Sequence, residues 1–429
     1  MRANELSVIT LRKVTLRLIP FLFVLYVIAW LDRVNVGFAG LEMNADLGFS
    51  STVFGFGSGI FFLGYCLFEI PSNIILERVG ARLWISRIMV TWGLISVSLM
   101  FVRTPAAFYL LRFLLGAAEA GFFPGVIYYL SLWYPTAHRA RAIAAFMTAV
   151  PVTGLIGGPL SGALLELDGL HGLAGWQWLF LLEGLPAVIL GTSVLFYLND
   201  RPETTSWLTP AERDWLVETL AAERHACVLR PNIRVALTDA TVWKLGIIFL
   251  LVAAGFYGYS FWGPLVIKSL TGLSNFKVGL VLGAISAVTI LGMLLNSYHS
   301  DHTRERAVHI AVPLFVMAIG LVGCALLHQP VLAIIALALV PLGHCASYGP
   351  FWSMPTQFLT GRAAAAGIAL VTMIANVGGF AGPALIGVLK SRTGTHTDAF
   401  LVLGGLAVIA TLLSLRIGPA QVLSNEQPA

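Results

Sequence analysis

Long apolar segments, bounded by charged residues, glycine and proline, make up most of the chain from residue 18 onward. A helix needs about 20 residues to cross a hydrocarbon core about 30 Å thick, and these segments have that length. Their residues stay apolar throughout and do not alternate with polar ones, which excludes a membrane β-barrel. The pattern predicts twelve transmembrane helices, near residues 18–38, 52–75, 83–102, 105–131, 142–164, 176–198, 243–267, 278–298, 307–327, 331–353, 363–390 and 399–417. We therefore expect an all-α integral membrane protein.

A long polar segment, residues 199–241, separates the sixth predicted helix from the seventh. Within it, Thr209, Pro210 and Glu212 combine an N-cap, a proline in the first turn and a capping-box glutamate. They predict a short amphipathic helix over about 209–224, whose Trp207, Trp215, Leu216 and Leu220 lie against either the membrane surface or neighbouring loops. The predicted domains are a first six-helix bundle (1–198), a cytoplasmic linker (199–241), a second six-helix bundle (242–417) and a cytoplasmic tail (418–429).

The two predicted bundles resemble each other in sequence. The segment 77–82, after the second helix, matches the segment 301–306, after the eighth, at an offset of 224 residues. The same offset relates glycines and prolines of the fifth and eleventh helices, namely Gly154, Gly158 and Pro159 to Gly378, Gly382 and Pro383. Such residues allow helices to approach closely and to bend. The repeat predicts two pseudo-symmetric bundles in parallel orientation, an architecture in which transporters bind substrate near the membrane midplane.

Basic residues are distributed unevenly between alternate loops. The chain has 26 Lys and Arg residues against 21 Asp and Glu residues, with a formal net charge of +5. If the N-terminus is cytoplasmic, most of the Lys and Arg residues fall on the cytoplasmic side, as the positive-inside rule requires. We therefore expect both termini in the cytoplasm, and the basic excess needs no nucleic-acid partner.

Composition and motifs exclude several other classes of protein. Charged residues make up 11% of the chain, against about 25% in soluble proteins. The four cysteines lie far apart and the histidines lack metal-ligand spacing, so we expect neither a disulfide framework nor a metal site. No GxxxxGK[ST] phosphate loop supports ATP-driven transport, and we expect no cofactor. The first apolar segment contains Asp32 and Arg33 and lacks a convincing small-residue cleavage site, so we expect a retained helix and not a signal peptide.

Several motifs resemble those of the major facilitator superfamily. Glu77, Arg78, Gly80 and Arg82 resemble its signature loop, although Asn73 stands where that loop has a glycine. Residues 154–162 resemble its glycine-proline motif in the fifth helix. A sharper resemblance is to the anion:cation symporter family, and within it to the bacterial tartrate-transporter-like branch. It rests on residues 31–35, 68–73, 200–202 and 255–262, on Tyr65, and on Arg112 with Glu119.

This resemblance implies a major facilitator fold in the bacterial inner membrane and inward transport of sugar acids, tartrate or aromatic acids. It also implies that the positions of Asp32 and Glu119 serve proton coupling and substrate-anion binding.

Four charged residues fall within predicted helices of the first bundle: Asp32, Arg33, Arg112 and Glu119. Each charge near the bilayer centre costs at least about 2.5–3.5 kcal/mol, so the group needs a reason to be there. Arginine grips a carboxylate with its planar fork, which makes Arg33 and Arg112 the candidate substrate-binding clamp. Burial and a nearby arginine act oppositely on a carboxyl group, so Asp32 and Glu119 are the proton-coupling candidates. The alternative is that each arginine neutralises a nearby acid and ties helices together, with Asp32 the sequence neighbour of Arg33.

The second bundle lacks these charges, because the offset places Phe256, Ala336 and Gly343 opposite Asp32, Arg112 and Glu119. It offers aromatic and amide groups instead, which suit the polyol or ring part of an organic acid. Packing or interface anchoring explains the same residues equally well. The further substrate-binding candidates are Tyr65, Tyr257, Tyr259, Trp352 and Asn376.

Six more charged residues are candidates for gating or structural roles. We expect Glu69 to brace the cytoplasmic side with Arg78 or Arg87. The duplicated loops carry charges that can lock the outward-facing state. The six candidates are Glu69, Glu77, Arg78, Arg82, Asp301 and Arg304.

The sequence therefore predicts a monomeric twelve-helix transporter in the lipid bilayer that imports a small organic anion with protons by alternating access. A sugar acid or a dicarboxylate such as tartrate is the expected substrate. One alternative is an exporter that exchanges organic ions or drugs for protons, although paired arginines argue against cationic drugs. Another is a membrane sensor that does not transport, which we would expect to carry a large extra domain. No catalytic constellation supports an integral-membrane enzyme.

Overall fold

The computed structural model describes residues 3–226, 238–355 and 361–416. Within these ranges the regular structure is helical, with sixteen α-helices and three single 3₁₀ turns. The predicted tail, 418–429, and residues 227–237 of the predicted linker lie outside the described residues. The α-helices are α1 (Ala3–Asp46), α2 (Ser51–Val79), α3 (Ala81–Ser98), α4 (Pro105–Glu119), α5 (Phe122–Trp133), α6 (Thr136–Met147), α7 (Ala149–Leu165), α8 (Gly175–Tyr197), α9 (Pro210–Ala226), α10 (Ala240–Thr271), α11 (Asn275–Thr303), α12 (Ala307–Leu326), α13 (Pro330–Ala346), α14 (Tyr348–Ser353), α15 (Gly361–Thr393) and α16 (Thr397–Leu415).

Twelve spans in the described ranges are long and apolar enough to cross a membrane, as the hydrophobic pattern predicts. Nine spans consist of one helix each, and spans four, five and ten each consist of two. The predicted start at residue 18 is wrong for the first helix, because α1 begins at Ala3. Span five begins at Thr136 and not near residue 142. Composition predicts only the apolar part of a helix, so the polar first turns of α1 and α6 lie outside the predicted segments.

The three interrupted spans share a proline four residues after the break. Pro124, Pro151 and Pro350 lack the N–H that would bond the carbonyls of residues 120, 147 and 346, where α4, α6 and α13 end or have just ended. Proline alone does not decide the outcome, since α15 continues through Pro383. In span four the break is fixed further by Gly121, whose φ of 89° lies in the left-handed region.

The chain packs into two compact units. Unit 1 comprises Met1–Asn35, Gly64–Gly157 and Leu167–Arg230, and unit 2 comprises Val36–Leu63, Gly158–Glu166 and Pro231–Ala429. This division cuts through α1, α2 and α7, whereas the predicted domain boundaries follow chain order. Those boundaries stay a prediction.

Small residues set the helix contacts inside each unit. In unit 1, Gly93 of α3 lies so close to α8 that a Cβ there would be 2.8 Å from Val188 Cγ2. In unit 2, a Cβ on Gly382 of α15 would lie 1.9 Å from the carbonyl oxygen of Ala254, and one on Gly378 would lie 2.1 Å from that of Leu250. These glycines therefore act in close helix packing, as is common within membranes.

The helix α9 begins where the capping motif of the polar segment predicts a helix start. The Thr209 N–H donates to Glu212 Oε2 at 2.9 Å, and the Glu212 N–H donates to Thr209 Oγ1 at 3.4 Å. Leu216 and Leu220 are buried, Lys13 Nζ of α1 lies 2.6 Å from Glu212 Oε1, and Glu223 accepts hydrogen bonds from Thr136. Of the two predicted environments for the apolar face of α9, the structure therefore has packing on neighbouring segments.

Candidate functional site

Asp32 lies in the middle of α1 with its side chain fully buried. Both carboxylate oxygens accept hydrogen bonds from α3: Oδ2 from Trp92 Nε1 at 2.9 Å and Oδ1 from Ser96 Oγ at 2.8 Å. Trp92 and Ser96 are four residues apart, which places them on one face of α3. Asn35 adds a longer bond of 3.4 Å to Oδ1. The carboxylate is thus held by uncharged donors.

Arg33, the next residue, pairs with Glu119 at the end of α4. Its Nε donates to Glu119 Oε1 at 3.1 Å, and its Nη2 donates to the same oxygen. The Glu119 side chain is 1% exposed and that of Arg33 is 12% exposed. Oε2 of Glu119 is buried and accepts no hydrogen bond within the described part of the chain. Arg33 thus pairs with Glu119 between α1 and α4 and not with its neighbour Asp32. This contact fits the structural-pairing alternative as well as the substrate clamp, and the roles of both arginines stay predictions.

Two aromatic rings and a second arginine complete this cluster in unit 1. The Arg33 guanidinium lies 5.0 Å from the ring of Trp30 and 5.3 Å from that of Tyr65, within the range of cation–π attraction. Arg112 is fully buried on α4, two turns or about 10 Å along the helix from Glu119. The structure thus brings Tyr65 to Arg33, and Arg33 to Glu119. We call Asp32, Arg33, Arg112 and Glu119 the charged cluster.

A helix break positions Glu119. The helix α4 ends at this residue, Ala120 has non-helical angles, and Gly121 adopts the left-handed conformation before α5 begins. A Cβ on Gly121 would lie 2.3 Å from Ser72 Oγ of α2, so only glycine fits both the backbone and the contact. The carboxylate therefore stands at a helix terminus that is fixed against α2.

Sequence reasoning missed Trp92, Ser96 and this break. The available signal for the first two was a tryptophan and a serine at a spacing of four in an otherwise apolar helix. The signal for the break was Gly121 shortly before Pro124.

The predicted gating residues are arranged differently from expectation. Asp301 Oδ1 lies 2.7 Å from Arg306 Nη1, and Arg304 instead occupies a left-handed position with φ of 56° after α11. Glu69 makes no ion pair within 4 Å in the described ranges. The Arg87 guanidinium lies over the ring of Trp84, 3.9 Å from the ring centroid. The role of Glu69 in bracing the cytoplasmic side with Arg78 or Arg87 stays a prediction.

The loop between α2 and α3 is held through its backbone by Asp200 of the predicted linker. The backbone N–H of Arg82 donates to Asp200 Oδ1 at 2.8 Å, while the side chains of Glu77, Arg78 and Arg82 are exposed. Gly80, with φ of 93°, makes room for Asp200, since a Cβ there would lie 2.9 Å from Oδ1. Asp200 thus anchors the loop through its backbone.

The candidate residues of unit 2 lie among aromatic rings. Tyr257 packs against Phe62, with ring centroids 4.3 Å apart, and Tyr259 is 7% exposed. Trp352 meets Phe249 edge-on at 5.0 Å. Asn376 is half-buried, and its Nδ2 has no hydrogen-bond partner among the residues described. No group of three or more His, Cys, Asp or Glu side chains in the described ranges is arranged to hold a metal ion.

Comparison with known proteins identifies the family. The family model of the Major Facilitator Superfamily matches residues 22–383. The chain belongs to the major facilitator superfamily. A relative from Agrobacterium vitis, named provisionally as a tartrate transporter, is 49% identical over 99% of this chain and 97% of its own length. The resemblance to the tartrate-transporter-like branch is thereby confirmed.

Two further similarities define the superfamily context. A quinolone resistance transporter of Acinetobacter baumannii is 40% identical, with 94% of each chain covered. The solved structure of a D-xylose–proton symporter has a TM-score of 0.74, 15% identity, and coverage of 94% of this chain and 98% of that one. At that identity the similarity shows the major facilitator fold alone. The protein is therefore a multi-pass membrane transporter of the secondary type and not an enzyme.

Proposed function

We propose that the protein imports a small organic anion together with protons by alternating access. The observation that carries this proposal is the pairing of Arg33 with a single oxygen of Glu119, on a helix that also carries the fully buried Arg112. An arginine held by one carboxylate is a ready site for another carboxylate. A substrate carboxylate and Glu119 then compete for Arg33.

This competition couples anion binding to a proton. With both acids ionised, the charged cluster has two negative and two positive charges and is neutral. An anion that enters without a proton leaves a net buried negative charge, which is costly away from water. When Glu119 takes up a proton, its attraction for Arg33 weakens and the cluster carries one net positive charge, which one carboxylate group of the entering anion neutralises. Proton binding and anion binding therefore favour each other.

The substrate that fits this cluster is a hydroxylated carboxylic acid. Tartrate, a dicarboxylate, and the sugar acids share a carboxylate for Arg33 and Arg112 and hydroxyl groups for polar side chains elsewhere. The name of the 49% identical Agrobacterium vitis relative supports tartrate in particular. We propose tartrate or a related sugar acid as the cargo, and a monomer as the transporting form.

We further propose that the protein resides in a bacterial inner membrane with both termini in the cytoplasm. The distribution of Lys and Arg residues between alternate loops supports this orientation. Bacterial relatives that match nearly the whole chain support the location.

A second candidate function is proton-driven export of an organic ion or drug. The 40% identity to a quinolone resistance transporter favours it, and a quinolone carries a carboxylate that would suit Arg33 and Arg112. The two functions differ in the direction of flux under an inward proton gradient.

Reconstitution into liposomes tests both functions. Uptake of radiolabelled tartrate isomers, sugar acids, aromatic acids and a quinolone is measured with an inward proton gradient, and again after an uncoupler collapses it. The proposal predicts that one acid accumulates only with the gradient. Proton-driven extrusion of the quinolone would favour the second candidate, and an absence of any flux would favour a sensor.

A further inference from the structure

A histidine of unit 2 is enclosed by aromatic rings. His344 of α13 is 1% exposed, and its ring centroid lies 4.0 Å from that of Phe256 and 6.1 Å from that of Phe249. The ring planes differ by only 20° and 13°. Phe249 and Phe256 are two helical turns apart on α10, about 10 Å, so the imidazole lies between them. Both of its faces are covered, and its two nitrogens are its polar edges.

One imidazole nitrogen of His344 has a hydrogen-bond partner, and the other has none among the described residues. Nε2 lies 3.1 Å from the Tyr348 hydroxyl, across the break between α13 and α14. Nδ1 is buried and has no hydrogen-bond partner in the described part of the chain. A buried nitrogen without a partner costs about 1–3 kcal/mol, a cost that phenylalanine at this position would not incur. Nδ1 is therefore a buried polar atom to which a ligand can hydrogen-bond.

The position is related to the charged cluster by the internal repeat. The offset of 224 residues places Phe256 opposite Asp32 and His344 opposite Ala120, the residue after Glu119. Each of spans four and ten is interrupted at this level. At or next to the positions that correspond to the carboxylates of the first half, the second half has the imidazole of His344 among aromatic rings.

The ligand chemistry follows from the tautomers of the ring. No carboxylate hydrogen-bonds this imidazole among the described residues, so the neutral form is favoured. If the Tyr348 hydroxyl donates to Nε2, then Nδ1 carries the proton and donates; in the other tautomer Nδ1 accepts. A hydroxyl group both donates and accepts and so fits either tautomer, whereas a carboxylate accepts only.

We propose that His344, oriented by Tyr348, hydrogen-bonds a hydroxyl group of the transported acid and thereby selects hydroxy acids over their deoxy analogues. This inference rests on the proposed function, since it names the part of the transported anion that His344 recognises. Asp32, Arg33 and Glu119 have no part in this selection.

The test compares tartrate with succinate, which has the same two carboxylates and no hydroxyl. Proteoliposome uptake gives kcat/KM for each acid in the wild type, His344→Phe, His344→Gln and Tyr348→Phe. We expect His344→Phe to lower the tartrate-to-succinate ratio about tenfold, mainly through the KM for tartrate. His344→Gln keeps a donor and an acceptor and retains part of the preference. Tyr348→Phe leaves the ring unanchored and loses part of it.

The exposed His328 provides a matched control, because His328→Phe makes the same replacement away from the aromatic rings that surround His344. A purely structural role for His344 would lower uptake of both acids alike and leave the ratio unchanged, which would overturn the inference while the proposed function stands. If the wild type takes up another sugar acid and neither of these two, the same ratio is measured for that acid and its deoxy analogue. If the wild type takes up no organic acid, the proposed function itself fails and the inference fails with it.

Discussion

Asp32 and Glu119 are both buried acids, but their oxygens are bonded differently. Asp32 has a donor on each oxygen, from Trp92 and from Ser96. Glu119 receives both Arg33 bonds on Oε1, and Oε2 accepts none within the described residues. A proton can be added to Oε2 without first breaking a hydrogen bond. Glu119 is therefore the better candidate for reversible protonation, and Asp32 the better candidate for a fixed charge.

Arg112 is expected to be essential for anion binding. The variant Arg112→Ala removes one of two cations in the charged cluster and leaves a net negative charge that repels a carboxylate. We expect saturable uptake to be lost, and Arg112→Lys to recover little of it, because a point charge does not replace the planar fork. Substrate-dependent thermal stabilisation of purified protein measures binding directly. Undiminished stabilisation of Arg112→Ala by the acid would contradict this role.

The Asp32 bonds to α3 are expected to contribute to stability. Trp92→Phe removes the indole N–H from a buried carboxylate, and a hydrogen bond to a charged group is worth about 1.5–3 kcal/mol. Trp178→Phe is the control, since its indole donates to the Leu170 carbonyl at an exposed site. We expect a clearly larger fall in the unfolding temperature in detergent for Trp92→Phe. Equal shifts would show that the Asp32 bond is unimportant.

The four charged residues could be selected from sequence because charge within an apolar segment is costly and therefore conspicuous. Trp92 and Ser96 give a weaker signal, since uncharged polar side chains are common in membrane helices. The pairing of Arg33 with Glu119 could not be predicted from the chain. Adjacency suggests Asp32, whereas the packing of α1 on α4 brings together residues 86 positions apart.

At the scale of the element, the break in span four holds Glu119 in place. Gly121→Ala puts a side chain into a left-handed backbone, at about 1–2 kcal/mol, and adds a clash with Ser72. Gly169→Ala is the matched control, because its φ is also positive, at 79°, and nothing lies within 4 Å of the added Cβ. We expect Gly121→Ala to lower the unfolding temperature more and to impair transport.

If Gly169→Ala were as damaging as Gly121→Ala, the contact with Ser72 would have no special role. Proline alone does not locate this break in the sequence, because α15 continues through Pro383 and α7 through Pro159, and Gly121 is the additional signal.

The attachment of α9 to α1 is expected to depend on pH. Burial raises the pKa of Glu212, but its hydrogen bonds from Lys13 and Thr209 outweigh burial and leave the pKa below its usual value of 4.5. A lowered pKa means that the stabilisation is fully present above pH 4.5 and is lost as the pH falls through the lowered value. The exposed Lys13 makes this a small effect, at most about 1 kcal/mol.

Hydrogen exchange of residues 210–223 measures the attachment. We expect faster exchange at pH 4 than at pH 6 after correction for the intrinsic rate, and a smaller difference in Glu212→Gln. The same corrected rates at both pH values in the wild type would contradict the predicted role of Glu212.

At the scale of the whole molecule, the two halves share a helical plan but differ in chemistry. The duplicated loops and glycines lie at one offset, and spans four and ten are each interrupted. The buried arginines and acids of the charged cluster belong to unit 1, whereas His344 and its surrounding rings belong to unit 2.

The central claim is that protonation of Glu119 couples the proton gradient to anion transport. The most direct measurement compares uphill uptake with counterflow in proteoliposomes for the wild type and Glu119→Gln. Glutamine resembles the protonated acid, so the account predicts that Glu119→Gln exchanges labelled for unlabelled acid at a substantial rate but no longer accumulates it against a gradient. Undiminished gradient-driven accumulation by Glu119→Gln would contradict the account.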